Sequence, residues 1–136
     1  MLPIGVSDTK RQGSNITILC WSKTVPASLK AAEALQESGI SAEVIDLRTI
    51  RPLDREAVFD SVIKTNRVLI VQEAWPQASV GSWLAATIQE ELFDYLDAPV
   101  TVLSGRDCPY PYAKNLEKLM APTHDEIVET ARKLCK

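Results

Sequence analysis

Histidine and glycine are scarce in this sequence, and their scarcity limits the enzymes that it can encode. His124 is the one histidine among 136 residues, and there are five glycines. No Ser or Cys nucleophile motif accompanies His124, so we interpret it as a residue tolerated at the start of a helix rather than as a general base. No Gly-x-Gly-x-x-Gly or Walker loop is present, which argues against a site for a dinucleotide or a nucleoside triphosphate.

The sequence also lacks a positively charged field and a long hydrophobic run. Fifteen Lys and Arg residues against eighteen Asp and Glu give a net charge of −3, which does not favour binding to nucleic acid or to an anionic membrane. Polar or charged residues interrupt every apolar stretch well before the ~20 residues that a membrane span needs. The scattered acids and single histidine do not have metal-ligand spacing. We therefore expect one soluble domain with no nucleic acid, membrane or metal partner.

The cysteines do not form a disulfide framework. Cys20, Cys108 and Cys135 are odd in number and include no Cys-x-x-C pair, which predicts reduced, partly buried thiols in an intracellular protein. Cys108 precedes a proline in a predicted loop, where an incidental cysteine is favoured and a reactive thiol is the alternative. Residues 1–5 resemble neither a secretory signal nor an Arg-rich transit segment, so no targeting segment is expected there.

Hydrophobic periodicity predicts strands that alternate with helices. Val6–Lys10 and Asn15–Trp21 flank the polar turn Arg11–Ser14, which predicts an N-terminal β-hairpin. Further strands are predicted at residues 42–47, 68–71 and 100–103, and helices at 25–38, after Asp54, from Val80 and from a capping box at Thr123. This order predicts an α/β three-layer sandwich: a mostly parallel sheet of about five strands, one antiparallel edge strand from the hairpin, and helices on both faces.

Three local features concern packing or surface contacts rather than chemistry. Trp75-Pro76 and Tyr110-Pro111-Tyr112 place large aromatics beside prolines in loops, where they pack either in a subunit interface or in the core of the monomer. The helix from Val80 is predicted to bury a stripe of five residues, namely Val80, Leu84, Ile88, Leu92 and Tyr95. Four acids run along its end; a solvated face is favoured and an acidic docking surface is the alternative for Glu90, Glu91, Asp94 and Asp97.

Four segments resemble those of a known family. They are Arg48–Asp54, Glu73–Gln77 with Gly81, Phe93–Pro99 and Pro109–Lys114. Their order and spacing resemble the C-terminal domain of the β subunit of the pyruvate dehydrogenase decarboxylase component, in the transketolase C-terminal-domain family. The resemblance extends over essentially the whole chain from Ile4, and the Trp-Pro-Gln and Pro-Tyr-Pro-Tyr-Ala-Lys segments favour the pyruvate enzyme over its branched-chain relative.

The resemblance implies that residues 1–136 are a single domain and a fragment of a longer subunit. The parent enzyme decarboxylates pyruvate with thiamine diphosphate and magnesium, and reductively acetylates the lipoyl group of the acyltransferase core. In the family that cofactor lies between the α subunit and the N-terminal domain of the β subunit, so no catalytic, cofactor-binding or metal-binding residue is expected in this chain. The implied location is the mitochondrial matrix in a eukaryote and the cytoplasm in a bacterium.

The resemblance also implies partners and the residues that meet them. In an α2β2 heterotetramer the domain would contact its own N-terminal β domain, the α subunit and the second β subunit, with Trp75, Pro76, Tyr110 and Tyr112 as the candidate interface residues. It would also dock the subunit-binding domain of the acyltransferase. The docking candidates by position are Asp97 and the terminal carboxylate of Lys136, if Lys136 is the natural terminus.

Two alternatives stay open at this point. The same domain of a branched-chain 2-oxo acid dehydrogenase or an acetoin dehydrogenase would keep the assembly role and change the substrate of the parent enzyme. A free-standing flavodoxin-like enzyme or carrier would instead use Cys108 or a small phosphate ligand.

Overall fold

Residues 3–136, which the computed structural model describes, form an α/β sandwich around a five-stranded sheet. Met1 and Leu2, part of the segment in which no targeting signal is expected, lie outside the described residues. The strands are β1 (Asp8–Arg11), β2 (Ile16–Cys20), β3 (Ala42–Asp46), β4 (Val68–Val71) and β5 (Thr101–Leu103). The helices are α1 (Thr24–Glu37), α2 (Arg55–Thr65), α3 (Val80–Leu92), α4 (Lys114–Glu117) and α5 (His124–Leu134), with a 3-10 turn at Phe93–Tyr95.

The strand order is β1-β3-β2-β4-β5. Strands β2 to β5 are parallel, and β1 runs antiparallel to β3 at one edge of the sheet. The predicted mostly parallel sheet with one antiparallel edge strand is confirmed. The predicted hairpin is wrong, because β3 lies between the two arms that were expected to pair.

The segment between β1 and β2 crosses the start of β3 instead of turning back on itself. The backbone NH groups of Ser14 and Asn15 both donate to the carbonyl of Ser41, at 3.1 and 2.9 Å. Gly13 lies so close to β3 that a Cβ atom there would fall 2.2 Å from the backbone of Ala42. A polar turn with a glycine suits a hairpin and this crossing equally well, so the local sequence does not distinguish them.

Helices cover both faces of the sheet, as predicted. Helices α1 and α5 pack on the face that contains Ile18, and α2 and α3 pack on the face that contains Leu19. These neighbouring residues of β2 point to opposite faces and are both fully buried, which explains why the central strands are continuously apolar. Each such side chain stabilises the fold by about 1.5–3 kcal/mol relative to an exposed one.

The helix starts predicted after Asp54 and at Thr123 are confirmed. The Asp54 carboxylate accepts a hydrogen bond from the NH of Ala57 at the start of α2. Thr123 and Glu126 form the complete capping box of α5. Gly39 follows α1 with a φ of +78°, the left-handed conformation that glycine adopts without steric cost.

The end of α3 differs from the prediction. The α-helix stops at Leu92 and the chain continues as the 3-10 turn, so Tyr95 leaves the buried stripe and is 49% exposed. Val80 is half-buried, whereas Leu84, Ile88 and Leu92 are buried as predicted. A change from 3.6 to 3.0 residues per turn rotates the following side chains away from the core.

A buried polar network joins α2 to the sheet. The side chain of Glu43 on β3 is 4% exposed and forms an ion pair with Lys64. Its carboxylate also accepts hydrogen bonds from the Ser61 hydroxyl at 2.6 Å and the Gly13 NH at 3.1 Å. Burial by itself raises the pKa of Glu43, but the hydrogen bonds from Lys64, Ser61 and Gly13 outweigh it and hold the pKa below its usual value.

Replacing Glu43 by glutamine is expected to destabilise the domain at neutral pH. Because the folded-state pKa of Glu43 is lowered, its stabilisation is complete above the unfolded-state pKa and is lost as the pH falls through the folded-state pKa. We expect Glu43→Gln to reduce the free energy of unfolding by about 1–3 kcal/mol at pH 7, and the difference from wild type to vanish in acid. Urea unfolding at several pH values measures it, with the exposed Glu90→Gln as control. A difference independent of pH would contradict the prediction.

Candidate functional site

The four predicted interface residues lie beyond the carboxyl ends of the parallel strands. We call this end of the sheet the carboxyl edge. Trp75 and Pro76 follow β4, and Tyr110 and Tyr112 follow β5. Because β4 and β5 are parallel neighbours, their carboxyl ends lie side by side, at the edge where open α/β sheets usually bind their ligands. The fold therefore brings together two aromatic loops that are far apart in sequence.

Trp75 and Tyr110 line the same shallow groove at the carboxyl edge. The groove has a volume of about 550 Å³, and Lys23, Glu73 and Gln77 also contribute to it. Trp75 is 51% exposed, Tyr110 is 53% exposed, and Tyr112 is fully exposed. These aromatic side chains are therefore not packed in the core of the monomer, and their place in a subunit interface stays a prediction.

The side chain of Gln72 links the loop that follows β4 to β5 and α3. It is fully buried, and its amide oxygen accepts a hydrogen bond from the Gly81 NH at 2.8 Å. Its amide nitrogen donates to the hydroxyls of Ser79 at 2.7 Å and Ser104 at 2.9 Å. Gln72 thus fixes both ends of the loop that carries Trp75 and Pro76.

Two glycines permit this close packing. A Cβ atom at Gly81 would fall 2.7 Å from the Gln72 side chain, and one at Gly105 would fall 2.2 Å from the Glu73 carbonyl oxygen. The Gly105 NH donates to the carbonyl of Ala74 at 3.0 Å, which joins the two aromatic loops directly. A larger residue at Gly105 would separate these loops, and a larger residue at Gly81 would displace the Gln72 side chain.

Asp97 lies at the opposite edge, which we call the amino edge, in the connection from α3 to β5. Its backbone NH donates to the carbonyl of Asn66 at 2.8 Å, and its carboxylate lies 3.5 Å from the guanidinium of Arg67. The Asp97 side chain is 56% exposed, so much of the carboxylate faces solvent. An exposed ion pair of this kind adds little stability and leaves Asp97 accessible to a cationic partner.

Lys136 follows α5, which runs from the carboxyl edge back to the amino edge. At the start of this helix Glu126 pairs with Arg106, which follows β5. At its end, burial raises the pKa of the Cys135 thiol and the positive charge of Arg67 opposes that effect. Near the end of α5 the Arg132 guanidinium donates to the hydroxyl of Ser38 at 2.6 Å. Ser38 lies between α1 and β3, so Lys136 and Asp97 lie at the same edge.

The predicted run of four acids does not form one acidic surface. Glu91 is ion-paired with Arg55 of α2, and Asp97 is paired with Arg67. Glu90 and Asp94 are exposed and have no ion pair within residues 3–136. Glu90 and Asp94 therefore agree with the solvated face that the sequence favours.

The candidate nucleophile and base are not brought together. The exposed Cys108 thiol lies 3.7 Å from the sulfur of Met120, and His124 lies 3.3 Å from the carboxylate of Asp125. No hydrogen bond joins Cys108 to His124 in the described part of the chain. Cys20 is fully buried, and burial raises the pKa of its thiol to about 12, so it is inert at neutral pH.

Two further kinds of site are absent from the part of the chain that the structure describes. Between residues 3 and 136 no three His, Cys, Asp or Glu side chains lie close enough together to bind a metal ion. No helix in that range is long and apolar enough to cross a membrane.

One known protein family matches most of this chain. The family model described as "Transketolase, C-terminal domain" matches residues 5–127. The chain belongs to the transketolase C-terminal domain family. The mostly parallel sheet with one antiparallel strand is the α/β fold of a transketolase C-terminal domain, which confirms the resemblance found in the four sequence segments.

Two curated relatives of this transketolase C-terminal domain are named as subunits of one enzyme. It is 47% identical over 134 residues to the pyruvate dehydrogenase E1 component subunit beta of Rickettsia felis. It is 50% identical over 134 residues to the mitochondrial pyruvate dehydrogenase E1 component subunit beta of Pisum sativum. Both matches cover 98% of this chain, but only 41% and 37% of the two relatives. The chain therefore spans about two fifths of the length of these relatives.

Solved structures resemble this transketolase C-terminal domain over nearly its whole length. A split-gene transketolase, described as an inactive β4 tetramer, matches with a TM-score of 0.81 and 25% identity, covering 98% of this chain and 43% of that chain. A 2-oxoglutarate:ferredoxin oxidoreductase from Magnetococcus marinus matches with a TM-score of 0.64 and 13% identity, covering 96% and 19%. The second match supports the fold alone.

Two exposed aromatics of this domain are not among the predicted interface or docking residues. Trp83 on α3 is 48% exposed, and Phe93 in the 3-10 turn is 65% exposed. Trp83 lies beside the buried stripe of α3 rather than in it, because it precedes Leu84 by one residue. A helical projection of α3 would have identified Trp83 as a large apolar residue outside the predicted core face.

Replacing Gln72 by leucine is expected to release the two aromatic loops from each other. The change leaves the Gly81 NH and the two serine hydroxyls without their buried partner, which lowers the free energy of unfolding by about 2–4 kcal/mol. Hydrogen exchange of the Gly105 NH should accelerate, since its acceptor lies in the released loop. Urea unfolding and hydrogen exchange measure these effects, with Gln77→Leu at an exposed position of the same loop as control. Equal stability of the two variants would contradict the role given to Gln72.

Proposed function

We propose that this chain is the non-catalytic assembly and docking domain of a pyruvate dehydrogenase β subunit. The proposal is carried by the presence of two separate surfaces on this domain. In addition, the candidate nucleophile Cys108 and the candidate base His124 do not contact each other. Exposed aromatics occupy the carboxyl edge, and Asp97 occupies the amino edge. The names of the relatives, all matched over almost the whole of this chain, support the choice of enzyme.

The chemistry of the parent enzyme would belong to other domains. That enzyme would decarboxylate pyruvate with thiamine diphosphate and magnesium and reductively acetylate the lipoyl group of the acyltransferase core. Residues 3–136 do not fit this cofactor, since they include no cluster of metal ligands and the turn after β2 has no glycine for a diphosphate. We assign the cofactor to the α subunit and the N-terminal domain of the β subunit.

The carboxyl edge is the proposed contact with a second β subunit. Trp75, Tyr110 and Tyr112 present large rigid side chains, which often dominate interface energetics. Gln72 fixes the loop of Trp75, so little conformational entropy remains to be lost when a partner binds. The β4 tetramer of the split-gene transketolase supports self-association of chains that contain this fold.

The amino edge is the proposed contact with the subunit-binding domain of the acyltransferase. A basic partner would meet the exposed Asp97 carboxylate and, if the chain ends there, the terminal carboxylate of Lys136. Such charges accelerate association and select the orientation more than they add affinity. The α2β2 assembly and the contact with the α subunit complete the proposed set of partners.

The names of the relatives support a proposed location and substrate. The plant relatives are named mitochondrial and the bacterial ones are not, so we propose the mitochondrial matrix for a eukaryotic source and the cytoplasm for a bacterial one. The pyruvate enzyme is favoured over a branched-chain 2-oxo acid or acetoin dehydrogenase because the relatives reported above are pyruvate dehydrogenase subunits. The role of Cys108 as a nucleophile has no geometric support.

Self-association of the isolated chain tests the carboxyl edge. We expect the chain to dimerise, and Tyr112→Ala to raise the dissociation constant at least about tenfold because it removes a fully exposed aromatic from the contact. Sedimentation velocity over a range of concentrations measures this, with Tyr95→Ala at the amino edge as the matched control. A wild-type chain that stays monomeric at high concentration and binds no hydrophobic dye would contradict this interface.

Charge reversal at Asp97 tests the amino edge. Asp97→Lys is expected to weaken binding of the acyltransferase's subunit-binding domain, and to weaken it more at low than at high ionic strength because salt screens exposed charges. Isothermal titration at two salt concentrations measures the effect. Asp107→Lys makes the same charge change in an exposed loop at the carboxyl edge and serves as control. Equal affinities of the two variants at low salt would remove Asp97 from the docking surface.

A further inference from the structure

A long exposed segment, residues 106–119, joins β5 to α5. Gly105 and Met120 on either side of it are buried, whereas thirteen of the fourteen residues between them are exposed and Pro111 is half-buried. The single helical turn α4 is its regular structure. Connections of this length are uncommon in compact domains and usually have a function. We call residues 106–119 the strap.

The two ends of the strap meet at a narrow neck. The Arg106 NH donates to the carbonyl of Met120 at 3.0 Å, and the Cys108 thiol lies 3.7 Å from the Met120 sulfur. The Arg106 guanidinium also pairs with Glu126 in the first turn of α5. Within residues 3–136, each hydrogen bond between the strap and the rest of the chain involves Met120 or Glu126. The strap is thus an Ω-loop, closed at its ends.

A polar cavity, rather than packed apolar side chains, separates the strap from the loops after β2 and β4. The cavity has a volume of about 350 Å³, and Lys23 and Glu73 of those two loops line one side of it. The strap lines the other side with Tyr110, Lys114, Glu117 and Lys118. None of the five charged residues forms an ion pair within residues 3–136. Lifting the strap therefore breaks no ion pair across this cavity and exposes little buried apolar surface.

The ion pair between Arg106 and Glu126 is the charged contact that holds the neck closed. Glu126 also completes the capping box of α5 with Thr123, so α5 keeps its carboxylate in place whether or not the strap is closed. The hydrogen bond from the Thr123 NH and the guanidinium of Arg106 hold the pKa of Glu126 below its usual value. The carboxylate is therefore ionised at neutral pH and available to Arg106.

We propose that the strap opens at its neck as one unit while the sheet stays folded, and that the pair between Arg106 and Glu126 is the latch of this movement. Opening would carry Tyr110 and Tyr112 away from the carboxyl edge. The consequence for assembly rests on the proposed function, in which these tyrosines contact a second β subunit. A partner that binds the closed strap alone competes with opening, so association and closure stabilise each other.

Hydrogen exchange at increasing urea concentration tests whether the strap opens independently. We expect exchange of the hydrogen-bonded strap and neck amides to depend weakly on urea below the unfolding transition, because a local opening exposes little surface. The amides of β2 and β4 should depend steeply on urea, since they exchange through global unfolding. Strap amides with the opening free energy and urea dependence of β4 would overturn the proposal. The probes are the amides of Arg106, Leu116, Glu117, Leu119 and Met120.

Substitution of Arg106 tests the latch. Arg106→Gln removes the ion pair with Glu126 and should accelerate exchange of the strap amides about two- to fivefold. The matched control is Lys133→Gln, which removes the exposed ion pair with Glu129 on α5. That pair persists when the strap is open, so Lys133→Gln should leave exchange of the strap amides unchanged. Equal strap exchange in the two variants would show that the pair between Arg106 and Glu126 is not the latch.

The dependence of exchange on chain concentration separates this inference from the proposed function. If the chain dimerises through the carboxyl edge, strap exchange should slow about tenfold when the free chain exceeds the dissociation constant tenfold. A chain that stays monomeric would count against the proposed contact, while the urea experiment still decides whether the strap opens. A dimer in which strap exchange does not change with concentration would overturn the coupling between closure and assembly.

Discussion

The hydrogen bonds of the buried Gln72 amide are the interaction on which the carboxyl edge depends. A buried amide is unfavourable unless its oxygen and nitrogen both find partners. Here the oxygen accepts from Gly81, and the nitrogen donates to Ser79 and Ser104. Because these partners come from α3, its N-cap and the end of β5, the amide is satisfied only when all three elements are correctly placed. The positions of Trp75 and of the loop that carries Tyr110 therefore depend on one side chain.

The parallel sheet keeps the two proposed contact surfaces apart. Loops that follow parallel strands emerge at one edge, and connections that return to the next strand reach the other edge. Trp75 and Tyr110 belong to the first kind, while Asp97 belongs to the second. A partner bound at the carboxyl edge would therefore leave Asp97 free, so one small domain is able to take part in subunit assembly and in docking at the same time.

Asp54 connects the start of the domain to its interior. Its carboxylate caps α2 through Ala57 and also accepts from the NH and hydroxyl of Ser7. Burial raises the pKa of Asp54, but the hydrogen bonds from Ser7 and Ala57 outweigh it, so the pKa lies below its ordinary value. The residue that precedes the predicted helix thus also fixes the first described segment of the chain against the start of α2.

The helices, the central strands and the family resemblance could all be predicted from local sequence. Non-local contacts decided how the helices and strands pack together. Periodicity and capping act within a few residues, so the caps at Asp54 and Thr123 were predictable from the sequence alone. The partner of β1 and the hydrogen bond from Gln72 to Ser104 were not, because each depends on residues far away along the chain. The sequence also supplied the aromatics and Asp97, but only the tertiary structure put them at opposite edges, since that separation follows from the order and direction of the strands.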